Sequence, residues 1–268
     1  NAIIHVLRCF EDDNITHVDG SIDPIRDKET IDFELQLKDL ETLEKKAEKA
    51  KKIAKTGNKD AAKEADLMTR LVAHVEAGQS VRSFDATESE EALIAESQLL
   101  TAKPVLYLCN VDEGSAVSGN EWVEKVRAAV ASEKAEVLHI AAATEADITE
   151  LDSFEEREMF LEDMGLKEAG VNKVIRSAYN LLDLQTYFTA GEKEVRAWTI
   201  PVGSTAPQAA GVIHTDFEKG FIRAEVIAYD DFSSMGSEAA VKEAGKLRVE
   251  GKDYIVKDGD VMHFRFNV

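Results

Sequence analysis

The stretch Lys103-Pro104-Val105-Leu106-Tyr107-Leu108-Cys109-Asn110-Val111-Asp112-Glu113 decides the fold class. An apolar run enters from a proline and ends on a polar loop. Strands covered on both faces in a parallel sheet read as unbroken apolar runs rather than as alternating ones. Working outward, Ala2-Ile3-Ile4-His5-Val6-Leu7-Arg8-Cys9 reads as a second buried strand and Glu136-Val137-Leu138-His139-Ile140 as a third. Helical patterns lie over 120–131, with Trp122, Val123, Val126 and Val130 facing inward, and over about 153–164 and 170–182. Strands alternating with helices predict an α/β protein with a doubly wound sheet.

Between the first two strands the period becomes helical. Phe33, Leu37, Leu40, Ala47, Ala50 and Ala54 recur at three- and four-residue steps and predict one inward stripe. Gly57-Asn58 breaks the run. Ala61, Ala65, Met68, Val72 and Val75 then form a second stripe, closed by Gly78. Two amphipathic helices joined by a Gly-Asn turn predict an antiparallel hairpin, and a third helix is expected over Ser89–Leu100. After Leu182 strands are expected at 195–200, 211–213, 221–228, 253–256 and 261–267, with a helix near 237–244. This is a separate α+β domain.

The 268 residues carry 52 acids against 32 bases, a formal charge of −20. No run of about 18 uncharged apolar residues exists, so no membrane span is expected. Two cysteines exclude a disulfide scaffold and a multi-cysteine zinc site, and point to the cytoplasm. The chain opens inside an apolar strand without an initiator Met, so it reads as the C-terminal part of a longer protein.

Ligands in open α/β sheets bind at the carboxyl ends of strands, where Asn110-Val111-Asp112-Glu113 falls. The base-reading motif of GTPases has Asn-Lys-x-Asp there. Here Val111 stands for the Lys and Glu113 for the Asp, and the extra methylene moves the carboxylate by about 1.5 Å. The four residues fit either a base site or a plain polar turn. The small residues of Ala141-Ala142-Ala143-Thr144-Glu145 allow a flat ring to approach, or simply a tight strand-to-helix turn.

Eight lysines between Lys45 and Lys63 face only Glu48 and Asp60, a local balance of +6. Either this is a solvated helix tip, or Lys45, Lys46, Lys49, Lys52, Lys55 and Lys59 form an arm aimed at a phosphate backbone, giving sequence-independent, salt-sensitive binding. The six histidines show no ligand-like spacing, so no metal site is expected. A turn role suits His214. Cys9 and Cys109 each end a strand, and their thiols are close if those strands are neighbours. No G-x-x-x-x-G-K-[ST] occurs, so nothing in this chain is expected to cradle phosphates or hold Mg²⁺.

The order of pieces resembles the YchF family of Obg-like ATPases, within the P-loop GTPase class. The resemblance rests on Ile3-Ile4-His5-Val6-Leu7-Arg8-Cys9-Phe10, Ile22-Asp23-Pro24, Asn110-Val111-Asp112-Glu113, Leu184-Gln185-Thr186-Tyr187-Phe188-Thr189-Ala190-Gly191, Val195-Arg196-Ala197-Trp198-Thr199, the run from His214-Thr215-Asp216-Phe217 to Val226, and Asp258-Gly259-Asp260-Val261-Met262-His263-Phe264. It implies a truncated P-loop G domain in 1–27 and 101–182, a helical, coiled-coil-like insertion over 28–100, and a C-terminal TGS domain of β-grasp fold over 183–268. That family has Asn-x-x-Glu and prefers ATP to GTP, which implies base contacts at Asn110, Val111 and Glu113. It further implies ribosome or RNA association, and Mg²⁺ in the intact protein. The P-loop, switches and DxxG motif of that family are lacking here, so no catalytic residue is assigned. The alternative is a ribosome- or RNA-binding module whose nucleotide site is only regulatory.

Overall fold

The computed structural model describes residues 2–133, 135–191 and 194–267. The chain divides into two compact units, Asn1–Ala178 and Tyr179–Val268.

The first unit runs β1 (Ile3–Cys9), α1 (Pro24–Ala54), α2 (Lys59–Glu76), α3 (Glu88–Glu96), β2 (Val105–Val111), α4 (Glu121–Ala129), β3 (Glu136–Ile140), α5 (Ala142–Glu150), α6 (Phe154–Asp163) and α7 (Gly170–Leu181). The end of α7 carries the chain into the second unit. The sheet order is β1-β2-β3, and both pairings are parallel, as the apolar runs predict. Leu7 lies opposite Cys109, Cys9 opposite Val111, and Asn110 opposite Ile140. One face packs Leu7, Cys9, Tyr107, Cys109 and Val111 against Val123 and Val126 of α4 and against Val130. Taking each of these valines out of water contributes about 1.5–3 kcal/mol.

Three expectations change here. β2 is buried along its length save for Asn110, but β1 alternates: Ile4 is 43% and Val6 60% exposed. β1 is one of the two edge strands of this sheet, and its face bearing Ile4 and Val6 has less cover. The stripe expected on α1 holds at Ala47 and Ala50 and fails only in the first half of the helix. Phe33 (60%) and Leu37 (47%) face outward, while Gln36, Asp39, Leu43, Ala47 and Ala50 are buried. The cause is hydrogen bonding: Gln36 Nε2 donates to the Gly78 carbonyl at 3.2 Å, and Asp39 accepts from Leu100 N, Thr101 N and Thr101 Oγ1 at 2.7, 2.7 and 2.8 Å. The third change is an added helix of nine residues, α5, while the tight strand-to-helix turn at 141–145 is present as one of the two readings has it.

The helical arm forms as its caps dictate. Asp23 accepts from Ile25 N and Arg26 N ahead of Pro24 at the first position of α1. Asn58 does the same for α2. Gly57 turns between them at φ +88°, where a side chain would be strained. The 31 residues of α1 span about 46 Å. Leu43 and Ala47 pack on Leu67, Met68, Leu71 and Val75 of α2.

The second unit contains β4 (Leu184–Ala190), β5 (Val195–Pro201), α8 (Ala206–Ile213), α9 (Thr215–Lys219), β6 (Phe221–Ile227), α10 (Tyr229–Met235), α11 (Glu238–Glu243), β7 (Arg248–Glu250) and β8 (Val261–Phe266). Its mixed sheet has the order β5-β4-β8-β6-β7. Ala206, Ala209 and Ala210 of α8 pack on Tyr187, Ile200, Phe221, Val226 and Met262, and the Tyr187 hydroxyl donates to the Ala209 carbonyl at 2.9 Å. Residues 211–213, expected as strand, end α8. Residues 253–256 contribute only an isolated bridge, Ile255 to Thr205. Gly220 is required by a close approach, since a Cβ there would lie 2.0 Å from the Asn267 carbonyl oxygen.

Candidate functional site

The carboxyl ends of β2 and β3 meet at Asn110. Its Oδ1 accepts from Ala142 N at 3.0 Å, which satisfies the first N–H of α5, a helix whose own N-cap, Ala141, has no side-chain acceptor. The Asn110 amide nitrogen, a donor only, has no hydrogen-bond partner among the described residues. Val111 is 4% exposed and belongs to the core, so its side chain offers no face to a ligand. Asp112 accepts from Ser115 N at 2.9 Å and from Ser115 Oγ at 3.2 Å, and so holds a single turn over Glu113–Ser115. Glu113 opens that turn and is exposed; among the described residues its carboxylate has no hydrogen-bond or ion-pair partner. Asn120 caps α4 and donates to the Cys9 carbonyl at 2.8 Å, closing the end of β1.

Glu145 is already engaged. It accepts from Gly170 N at 2.6 Å and from Val171 N at 3.1 Å and so caps α7. A Cβ on Gly170 would meet Ile140 Cγ2 at 2.7 Å, so only glycine fits there. The Cys9 and Cys109 side chains are fully buried on neighbouring strands, and the Cys109 thiol, with burial, pushes the Cys9 thiol up. The two strands are neighbours, so the thiols are close, as the sequence suggests. The His139 Nε2 is buried without a partner among the described residues, and burial lowers its pKa.

On the arm, Lys45, Lys49, Lys52, Lys55 and Lys59 are exposed and Lys46 is half-buried. Of the six, only Lys52 has a carboxylate within 4.0 Å among the described residues, Glu48 at 3.6 Å. Lys45, Lys49, Lys55 and Lys59 are thus open to solvent rather than consumed in internal pairs. The structure also brings together His17, Asp19 and Asp27, which sequence spacing does not suggest. His17 Nε2 lies 2.9 Å from Asp27 Oδ2, and the Arg26 guanidinium lies 3.1 Å from Asp27 and 3.5 Å from Asp19. Arg26 already supplies the charge that a cation would bring.

Residues 184–267 match the family model described as "YchF-GTPase_C: Protein of unknown function (DUF933)". The whole chain aligns with the "Ribosome-binding ATPase YchF" of Bacillus subtilis (strain 168) at 52% identity over 270 residues, covering 74% of that protein. The protein of the same name from Escherichia coli O157:H7 is 53% identical over 267 residues, with 73% of it covered. The chain belongs to the YchF family. More distant kin agree: "Obg-like ATPase 1" of Rattus norvegicus is 45% identical over 273 residues, with all of this chain and 68% of that one covered. Among solved structures, that of the Schizosaccharomyces pombe YchF GTPase superposes with a TM-score of 0.85 at 37% identity, covering 98% of this chain and 72% of the other.

In this YchF-family chain, Asn110 and Glu113 lie at the same strand end, while Val111 lies beneath them in the core. The six lysines belong to the arm. The Asn110–Ala142 and Glu145–Gly170 bonds cannot be read from the sequence because both use backbone N–H groups, which no residue pattern marks.

Proposed function

We propose that this chain supplies the base-reading wall and the ribosome-contacting parts of a YchF-type, ATP-preferring nucleotide hydrolase. In this reading 1–27 and 101–182 are G-domain sequence, 28–100 the inserted arm, and 183–268 a TGS domain of β-grasp type. The compartment is the cytoplasm.

The observation that carries the reading is the state of the Asn110 amide. Its oxygen is held by Ala142 N, which fixes the amide plane and leaves the NH2 group available to donate. The purine N7 is an acceptor in both bases and suits a donor. Beside N7, adenine presents the N6 amino donor and guanine the O6 acceptor. The free Glu113 carboxylate accepts only; its extra methylene carries it away from the pair of guanine N–H donors that an Asp here would take, and the N6 amino group of adenine is the donor that suits it. This supports ATP over GTP without the buried Val111 side chain. A partner left without its hydrogen bond costs about 1–3 kcal/mol, so a preference of about tenfold or more is expected.

Mg²⁺ has no fitting donor set at this strand end. Asp112 and Glu145 are engaged on N–H groups, and one free carboxylate does not make a site. No hydrolytic step is therefore derived from these residues. The exposed lysines favour ribosomal RNA as the contact of the arm, with nucleotide as the regulator of that contact.

Equilibrium competition of ATP and GTP for the protein tests the base site. Asn110→Ala should weaken both nucleotides, and Glu113→Asp should narrow the gap between them. An unchanged ratio in Glu113→Asp would refute the base assignment. Val111→Lys, which the GTPase motif would suggest, is avoided because it would bury a charge.

A further inference from the structure

Both legs of the arm return to one carboxylate. Glu133, in the single turn over Ala131–Glu133, places Oε1 2.8 Å from Lys28 Nζ at the root of α1. Its Oε2 accepts from the Tyr107 hydroxyl of β2 at 2.7 Å. The Arg82 guanidinium, on the segment that returns from α2, lies 4.0 Å from that same oxygen. Lys28 also donates to Asp32 at 2.7 Å, and Arg82 donates to the carbonyls of Thr101 and Lys103 at 3.2 Å each. The Lys28 and Arg82 side chains are only 10% and 16% exposed. The His5 ring completes the cluster, 5.7 Å from that of Tyr107.

Such a cluster is a poor source of stability. Taking charges out of water costs several kcal/mol per ion, and apolar residues of similar volume often serve as well or better. What ions add is geometry: Lys28 is held at hydrogen-bond distance from Glu133, and Arg82 at ion-pair distance. Burial pushes the Glu133 carboxyl up, but its bonds to Lys28 and Tyr107 outweigh this and leave it below the usual carboxylate range.

We propose that Glu133 is a clamp that fixes the angle at which the helical arm leaves the parallel sheet. Each leg contributes one cation, and Tyr107 anchors the carboxylate to β2. The lever is long: from Lys28 to Lys52 α1 rises about 36 Å, so a tilt of about 10° at the root moves the lysine-bearing end by about 6 Å. The clamp rests on this geometry alone and not on the nucleotide reading.

Spin labels at Thr56→Cys on the arm turn and Lys125→Cys on α4, measured by pulsed dipolar spectroscopy on the full chain, test it. Cys9 and Cys109 are fully buried and stay out of the labelling. The parent protein should give one narrow distance. Glu133→Gln, which keeps the shape and loses the charge, should broaden or shift it. So should the apolar pair Lys28→Met with Glu133→Leu, at little cost in thermal stability, which separates a clamp from a plain stabilising contact. If Glu133→Gln fails to fold, Tyr107→Phe takes its place, removing one hydroxyl from the anchor. A distance unchanged in both position and width in the folded variants overturns the clamp.

Discussion

Asp39 lies in the middle of α1, 2% exposed, and accepts three hydrogen bonds from residues 61 and 62 positions away. Asp39→Ala strands two backbone donors and a hydroxyl in the interior, so a loss of about 2–4 kcal/mol is expected, read as a lower urea midpoint. Asp39→Asn keeps an acceptor and should lose less. The same residue shows where the sequence stops being legible. An acid in a helix reads as solvent-facing, and that assumption places Phe33 and Leu37 inward in the first half of α1, while Ala47 and Ala50 are buried as read. Only the partners at Leu100 and Thr101 reveal that Asp39 points inward, and these are distant in sequence. Asn110 and Glu113 are legible because a strand end is a place defined by pattern. The occupation of the Asn110 oxygen is not.

At the scale of elements, the parallel strands are readable from unbroken apolar runs, and the arm from its Gly57-Asn58 break. The helix α8 is not, although Thr205 and Gln208 spell its capping box. Its last residues, Gly211-Val212-Ile213, look strand-like when read alone. The strand β4 is hidden because its buried positions, Gln185 and Tyr187, are polar-tipped, and each needs the partner it finds at Val256 and Ala209. For the arm, Lys45→Glu, Lys49→Glu and Lys52→Glu together should weaken co-sedimentation with ribosomes. The slope of log affinity against log salt should flatten by about 0.7–0.9 for each phosphate that is no longer neutralised. A slope identical to the parent's would mean that these side chains touch no phosphate. Because the arm reaches out with lysines alone, the weakening should be similar for any RNA sequence.

Across the whole molecule, acid sensitivity should be uneven. Burial lowers the pKa of His5 and of His139, both in the first unit. These imidazoles are neutral when folded and take up a proton near pH 6.5 when unfolded, so their contribution is present above that value and declines as pH falls below it. Glu133, held low by its partners against burial, adds a further loss only as pH falls through its folded value. The first unit should therefore weaken between about pH 7 and pH 5.5, followed by Trp122 fluorescence in urea after Trp198→Phe. The second unit, followed through Trp198 after Trp122→Phe, should change little there. A first unit with a flat midpoint would refute the assignment of neutral, buried imidazoles. Charge is uneven as well. The lysines crowd one end of a stiff rod whose root sits in an acid-rich body, so the first unit is an electric dipole. In the field of a polyanion such an object turns before it touches. Most head-on encounters would present the arm, while the acidic flank is turned away, so orientation is selected during diffusion and contact begins from a narrow range of angles.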